Sequence, residues 1–409
     1  MFDHLPLLLT CLLALYVACN LGANDVANSM GTSVGSKAVS LRQALVIAGV
    51  LEFTGAVGFG QRVSQTLVGG IVDPSRFASA PSVLLLGMVS ALLACGLWLQ
   101  IATAQGWPVA SSHAIVGAIA GFGLVSLGIE AVRWSSLGLI SLTWILTPLA
   151  SGAIAALFYS IVRHWILDHP HPIAQLDEWL PWLSLLLVSV FGIIVLPSIV
   201  RTLPVHNWPL PRHDLPLAVG AIAAVAIANW RTSATENIVE RQMARLQLLS
   251  ACGVAFAHGS NDVGNAVAPL AAIVFIQQTN TVPTEFAVPL WVLAIGGGGI
   301  VFGLAVWGRR VIATIGEGII SLQPSSGFCA ELATAITILL ASRFGLPVST
   351  SHALVGAVAG IGLVQRWYAP ETPIDWPILK QIGLAWLITV PIAAGLAIAI
   401  FLTLKQLFV

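Results

Sequence analysis

The chain reads as an all-α integral membrane protein, on three observations. Of its 409 residues, 57% are hydrophobic and 8% charged, where a soluble domain carries about 25% charge. Apolar runs near the bilayer-spanning length of about 20 residues recur, as at 81–101, 137–162 and 379–404. Two short polar motifs inside this apolar background each occur twice. At about 30–40 residues per span and loop, the length allows about 10–12 crossings. The charges balance to zero, so nothing marks a nucleic-acid surface. Cys11, Cys19, Cys95, Cys252 and Cys329 show no metal-ligand spacing and read as packing residues.

The elements follow in order. The first apolar run has no Lys or Arg ahead of it and leads into GANDVAN at 22–28. It is expected to be retained rather than cleaved as a signal, because cleavage would remove part of that motif. An apolar run holding Glu52 ends at Gly60-Gln61-Arg62-Val63, and PVASSHAIVGAIAGFGLV follows at 108–125. The same three blocks return in the same order. GSNDVGN at 259–265 is offset by 262 − 25 = 237, Gly308-Arg309-Arg310-Val311 by 308 − 60 = 248, and PVSTSHALVGAVAGIGLV at 347–364 by 352 − 113 = 239. The two long blocks agree at 13 of 18 positions. The chain therefore divides into a first repeat at 1–162, a connecting region at 163–246 and a second repeat at 247–409. The larger middle offset places an insertion at 277–285. In the connecting region, spans near 183–200 and 215–229 are joined by Pro- and His-rich loops at 163–177 and 202–214. The stretch 229–247, with Arg231, Glu236, Glu240, Arg241 and Arg245 at helical spacing, reads as an interfacial or loop helix. Lys and Arg are spread over most loops, so the positive-inside rule does not orient the chain.

Asp25 and Asp262 carry the chemistry. A carboxylate at membrane depth costs several kcal/mol unless it meets a cation or a water-filled cavity. Each sits among glycine and amides: Gly22, Asn24 and Asn28 in one copy, Gly259, Asn261 and Asn265 in the other. Glycine and asparagine are poor helix formers, so each motif is expected to break its span. The freed carbonyls, amides and carboxylates would form a cage for a hard cation. The alternative is a structural Asp paired with an Arg. In the second motif, Ser111-Ser112 or Ser349-Thr350-Ser351 precedes an Ala/Val/Gly-rich helix. Such a start presents free N–H groups and the positive dipole end, suited to an anion. The short apolar runs on either side suggest a re-entrant hairpin, and ordinary loops capped in water are the alternative. Gly117/Gly121 and Gly356/Gly360 allow close helix packing.

Other polar residues are weighed likewise. Glu52 either binds a coupling ion or proton or pairs with Arg62 or Arg310, and Glu331 leans toward a structural role. Arg62 and Arg310 are equivalent by repeat and expected near the membrane surface. His164, His169 and His171 read as a solvated loop. Ser112 and His113, like Ser351 and His352, are adjacent and point about 100° apart on a helix, so neither copy forms a nucleophile–base pair. No G-x-S-x-G elbow is present, and the histidines are read as holding the hairpins. An intramembrane serine hydrolase and a passive channel are thus the weaker readings. Moving one charge against the membrane potential costs about 2.3 kcal/mol per 100 mV. Two anion cups beside two cation cages would let cations offset the charge of an inorganic dianion, with mutually dependent binding.

GANDVANSMGTSVGSKAV, FAHGSNDVGNAVAPLA and the PVASSHA/PVSTSHALVGA pair closely resemble the PiT family of inorganic phosphate transporters, over essentially the whole chain. The resemblance implies about twelve transmembrane helices in two inverted repeats, with broken helices and two re-entrant hairpins. It implies symport of inorganic phosphate with Na+ or H+ by alternating access, and no enzyme activity or bound cofactor. Asn24, Ser111, Ser112, Asn261, Thr350 and Ser351 would bind phosphate. Asp25, Asn28, Asp262 and Asn265, with Glu52, would serve the cation, and Asp25 and Asp262 would ligate Na+ in a sodium-coupled protein. Ala110 stands where the second copy has Ser349, so the first hairpin lacks one hydroxyl. The long central loop of animal relatives is missing, suggesting a compact microbial or organellar form in the plasma (inner) membrane. The expected partners are phosphate, the coupling cation and the lipid bilayer, with a homodimer as one assembly. Sulfate permeation is the rival within the family.

Overall fold

In the computed structural model the described residues are 7–105, 107, 109–195, 214–230, 237–283, 287–315 and 320–408. They form thirteen α-helices: α1 Leu7–Gly35, α2 Leu41–Phe59, α3 Gln61–Gly69, α4 Pro81–Ala104, α5 Ser111–Leu127, α6 Trp134–Val162, α7 Pro172–Ile194, α8 Asp214–Asn229, α9 Ile238–Thr279, α10 Leu290–Ile315, α11 Pro324–Arg343, α12 Thr350–Tyr368 and α13 Trp376–Phe408. Nine helices among the described residues are long and apolar enough to cross a membrane.

Local sequence sets the boundaries. Ser40 and Gln43 close a capping box at the start of α2. Proline opens α4 and α11, where its missing N–H costs nothing. Outside the spans, Asp73 caps a 3-10 turn by accepting from the backbone N–H of Ser75 and pairs with Arg133 at 3.0 Å. The Ser75 hydroxyl, more than Arg133, holds the Asp73 carboxyl below its usual range.

Three expectations are corrected. The acidic motifs do not break their helices: α1 and α9 run unbroken through 22–28 and 259–265. The glycines serve close approach instead. A Cβ on Gly22 would lie 2.0 Å from the Ile300 carbonyl oxygen, and one on Gly259 would lie 2.0 Å from that of Glu52. Tertiary packing here overrides a propensity cost of about 1 kcal/mol per glycine. Second, the polar stretch before residue 247 is no separate interfacial helix. From Ile238 it forms the first turns of the 42-residue α9, with Gln242, Met243, Leu246 and Gln247 buried; residues 231–236 lie outside the described set. Third, the runs before the hydroxyl motifs are not short: α4 has 24 residues and α11 has 20. The connecting helix α7 begins at Pro172, inside the expected loop. The loop at 202–214 lies outside the described residues up to 213, as do Gly106, Pro108 and the Arg310 side chain.

The two halves interleave. α1 packs on α10 of the second half, and α9 packs on α2 of the first. α6 packs on α12, and α13 on α5. The glycines show the same reciprocity, since Gly356 approaches the Pro148 carbonyl and Gly117 the Val390 carbonyl. Small residues give these backbones their closeness. The equivalent helices α2 and α10 meet antiparallel. Gly49 faces Val301 and Leu304, while Gly297 faces Phe53 and Ala56. The 248-residue offset carries each of these contacts onto the other.

Candidate functional site

The polar residues of α1 and α9 converge in the interior with the first turns of α5 and α12. Asp25 and Asp262 are 1% and 0% exposed, and Asn24, Asn28, Asn261 and Asn265 are buried with them. Ser111, Ser112, Thr350, Ser351 and Glu52 are buried as well. Side-chain oxygens of Asp25 and Asp262 and a ring nitrogen of His258 all lie within 4.8 Å of one another.

The contacts cross between the halves. Asn28 donates weakly to Asp25 (3.3 Å) and stands 3.5 Å from the Thr350 hydroxyl. Thr350 donates to Asp262 at 2.9 Å. In the reciprocal contact, Asn265 donates to the Ser111 hydroxyl at 3.3 Å. Each hydroxyl-bearing helix start therefore faces an amide of the opposite half. This is how the carboxylates and the start of a helix dipole come together.

Asn24, Asn261, Ser112 and Ser351 make other contacts. Asn24 donates to Thr103 at 2.7 Å. Asn261 holds the loop before α12, donating to Ser342 and to the Leu346 carbonyl and accepting from the Val348 N–H. Ser112 donates to the Val348 carbonyl of the other half. Ser351 meets Ser349, whose hydroxyl caps α12 through the His352 N–H. Neither Ser112 nor Ser351 contacts a histidine ring in these bonds.

His258 is the residue that sequence reasoning missed. Its Nε2 lies 3.0 Å from Asp262 and its Nδ1 lies 3.2 Å from Glu52, with all three side chains fully buried. These are ion-pair distances, though neither nitrogen meets hydrogen-bond geometry. The i,i+4 spacing of His258 and Asp262 was a usable signal, because it places both on one helix face. Glu52 was not legible as the third member, coming from α2 of the other half. The duplication does not repeat this pair: the equivalent positions are Leu21 and Ile300, both buried. Glu52 also accepts from Ser29 at 2.9 Å and does not pair with Arg62, which donates to the Arg343 carbonyl.

Asp25, Glu52 and Asp262 have no Lys or Arg partner among the described residues. One oxygen of each is unsatisfied (Asp25 Oδ2, Glu52 Oε2, Asp262 Oδ1), as is Asn265 Oδ1. Buried charged oxygens without donors are strongly unfavourable alone, and the converging Asp25 and Asp262 oxygens, with a His258 ring nitrogen beside them, could hold a cation. Glu331 is different. It accepts from Thr32 and Ser33 (2.6 Å each), Gln247 (3.2 Å) and Ser250 (2.9 Å). Both of its oxygens are satisfied by neutral donors joining α1, α9 and α11.

Comparison with known proteins gives the family and the overall fold. The family described as the phosphate transporter family matches residues 21–397. A putative phosphate permease of Haemophilus influenzae is 37% identical over 98% of this chain and 97% of its own length. The chloroplastic inorganic phosphate transporter 2-1 of Arabidopsis thaliana is 39% identical over 95% of this chain and 70% of its own. A solved structure described as the sodium-dependent phosphate transporter superposes with a TM-score of 0.87 at 37% identity, covering 98% of this chain and 99% of that one.

Proposed function

This chain belongs to the phosphate transporter family, and we propose that it is a cation-coupled symporter of inorganic phosphate working by alternating access. It is an integral, multi-pass membrane protein, and in our reading it lies in the plasma membrane of a microbe. The observation that carries the proposal is the convergence of the Asp25 and Asp262 carboxylates, each with an unsatisfied oxygen, beside the starts of α5 and α12, where Thr350 donates to Asp262 and Asn265 donates to Ser111. The cation takes the carboxylate side, with Asn28 and Asn265 bridging toward the anion. Phosphate takes the hydroxyls and free N–H groups of Ser111, Ser112, Thr350 and Ser351, with Asn24 and Asn261 framing them. Neither charge is stable there alone, so each raises the affinity for the other. Sodium is favoured over the proton because the structural relative is described as sodium-dependent.

The reading includes two inverted repeats, 1–162 and 247–409, joined by 163–246, with about twelve crossings. The antiparallel meeting of equivalent helices α2 and α10 supports inversion, since an axis in the membrane plane reverses helix direction. In this reading α5 and α12 are the returning arms of re-entrant hairpins.

The test is labelled-phosphate uptake into proteoliposomes, with sodium replaced by choline at two pH values. Accumulation above equilibrium that needs sodium, and is inhibited by arsenate more than by sulfate, is expected. Stronger inhibition by sulfate would transfer the assignment to that anion, and flux that never exceeds equilibrium would make the protein a channel. Asp25→Asn and Asp262→Asn should each abolish cation-dependent uptake while the protein still inserts. Wild-type transport by both would overturn the cation site.

A further inference from the structure

His113 and His352 stand third in α5 and α12, just after the hydroxyl pairs. They meet edge to face across the two halves, with ring centroids 4.6 Å apart at 88°. His113 lies against Trp144 at 3.8 Å and His352 against Trp386 at 3.6 Å, so four rings join α5, α6, α12 and α13. Both imidazoles are buried. Each uses Nδ1 to reach a backbone carbonyl of the opposite half: His352 to Trp144 at 3.1 Å and His113 to Trp386 at 3.3 Å. A carbonyl only accepts, so each Nδ1 carries the hydrogen. Each Nε2 has no partner among the described residues.

The choice of acceptor has a local cause. Pro148 lies inside α6, and a proline withholds the N–H that would bond the carbonyl four residues earlier. That carbonyl belongs to Trp144, the one His352 reaches. On α13 the internal Pro391 frees Leu387 instead, one residue past the Trp386 carbonyl that His113 reaches. The bond there is the longer of the two.

We propose that His113 and His352 are positioning residues for the transported anion. Each fixes the first turn of a hydroxyl-bearing helix to the proline-containing outer helix of the other half, and their mutual contact holds the two starts in register. This rests on the reading above that phosphate binds at those starts. A tilt of α6 or α13 is thereby passed to the binding hydroxyls through one hydrogen bond rather than through loops.

The experiment measures phosphate KM and Vmax, per inserted protein, in sodium-driven proteoliposomes. His352→Leu should raise KM about five- to tenfold, the worth of one buried hydrogen bond. His352→Asn, whose Nδ2 sits as many bonds from the backbone as Nδ1, should bring KM back to within about twofold of wild type. Pro148→Ala restores an N–H for the Trp144 carbonyl, so Pro148→Ala/His352→Leu separates the two roles. Persistence of the raised KM in the double variant supports positioning. Full recovery would mean that the histidine only satisfies a carbonyl, which overturns the proposal, as would a fall in Vmax at unchanged KM. Should His352→Leu fail to insert, the same Leu and Asn readings at His113 decide. Thr350→Ala guards the premise. If it leaves phosphate KM unchanged, the anion site itself is misplaced. If it raises KM while both Leu variants do not, only the histidine proposal fails.

Discussion

Gly259→Ala tests whether close backbone approach builds the proposed cation site. The new Cβ would stand 2.0 Å from the Glu52 carbonyl oxygen and 2.6 Å from its carbonyl carbon. Ordinary contact begins near 3.4 Å, so α2 and α9 must part by about 3.4 − 2.0 = 1.4 Å. The obstructing atoms are backbone, which no rotamer change can move aside. Parting by that amount would carry the His258–Glu52 separation from 3.2 Å to about 4.6 Å, beyond ion-pair distance. Overpacking of this kind costs about 1–3 kcal/mol or more, before any cost of unpairing Glu52. Gly22→Ala meets the Ile300 carbonyl at the same 2.0 Å but lies where the duplication has no charged pair. Gly298→Ala meets nothing within 4 Å and is the control. Thermal unfolding in detergent and sodium-driven phosphate uptake are measured on all three. Gly259→Ala and Gly22→Ala should both unfold at lower temperature, and Gly259→Ala should lose more uptake per folded molecule. Wild-type uptake and unfolding for Gly259→Ala would refute the reasoning.

Three further outcomes are expected. His258→Gln removes the imidazole that stands 3.2 Å from Glu52 and 3.0 Å from Asp262, so the unfolding temperature should fall; the fall should be smaller in sodium than in choline, and an equal fall in both would argue against a cation there. Glu331→Gln turns one acceptor oxygen into a donor facing hydroxyls or an amide, so thermal stability should drop while the sodium requirement of residual uptake persists. Ser111→Ala should raise the phosphate KM several-fold, because its hydroxyl stands at the start of α5 and accepts from Asn265 at 3.3 Å; unchanged phosphate kinetics would remove it from the site.

Much of the site was legible because its parts are local and doubled. Asp25 with Asn28, Asp262 with Asn265, and the hydroxyl pairs at 111–112 and 350–351 are short blocks repeated at nearly constant offset. Burial of polar groups in so apolar a chain already demanded partners for them. The helix breaks were misplaced for a physical reason. Glycine lowers helix propensity and also lets backbones touch, and only the neighbour at Ile300 or Glu52 decides which effect governs. His258 escaped notice because a single histidine in an apolar run resembles a packing residue until Glu52 is brought beside it. Glu331 read as structural, and its shell of four neutral donors comes from two other helices, α1 and α9.

The sequence alone determined the membrane class, the duplication and the identity of the polar groups, since composition, period and motif are properties of the chain by itself. The tertiary structure decided the pairing: Asn28 with Thr350, Asn265 with Ser111, His258 with Glu52, His352 with the carbonyl beyond Pro148. Those contacts join residues far apart in the chain and lie mostly between halves. Their cause is the interleaved packing of helices whose glycines allow backbones to touch, and no local pattern encodes which surfaces will meet.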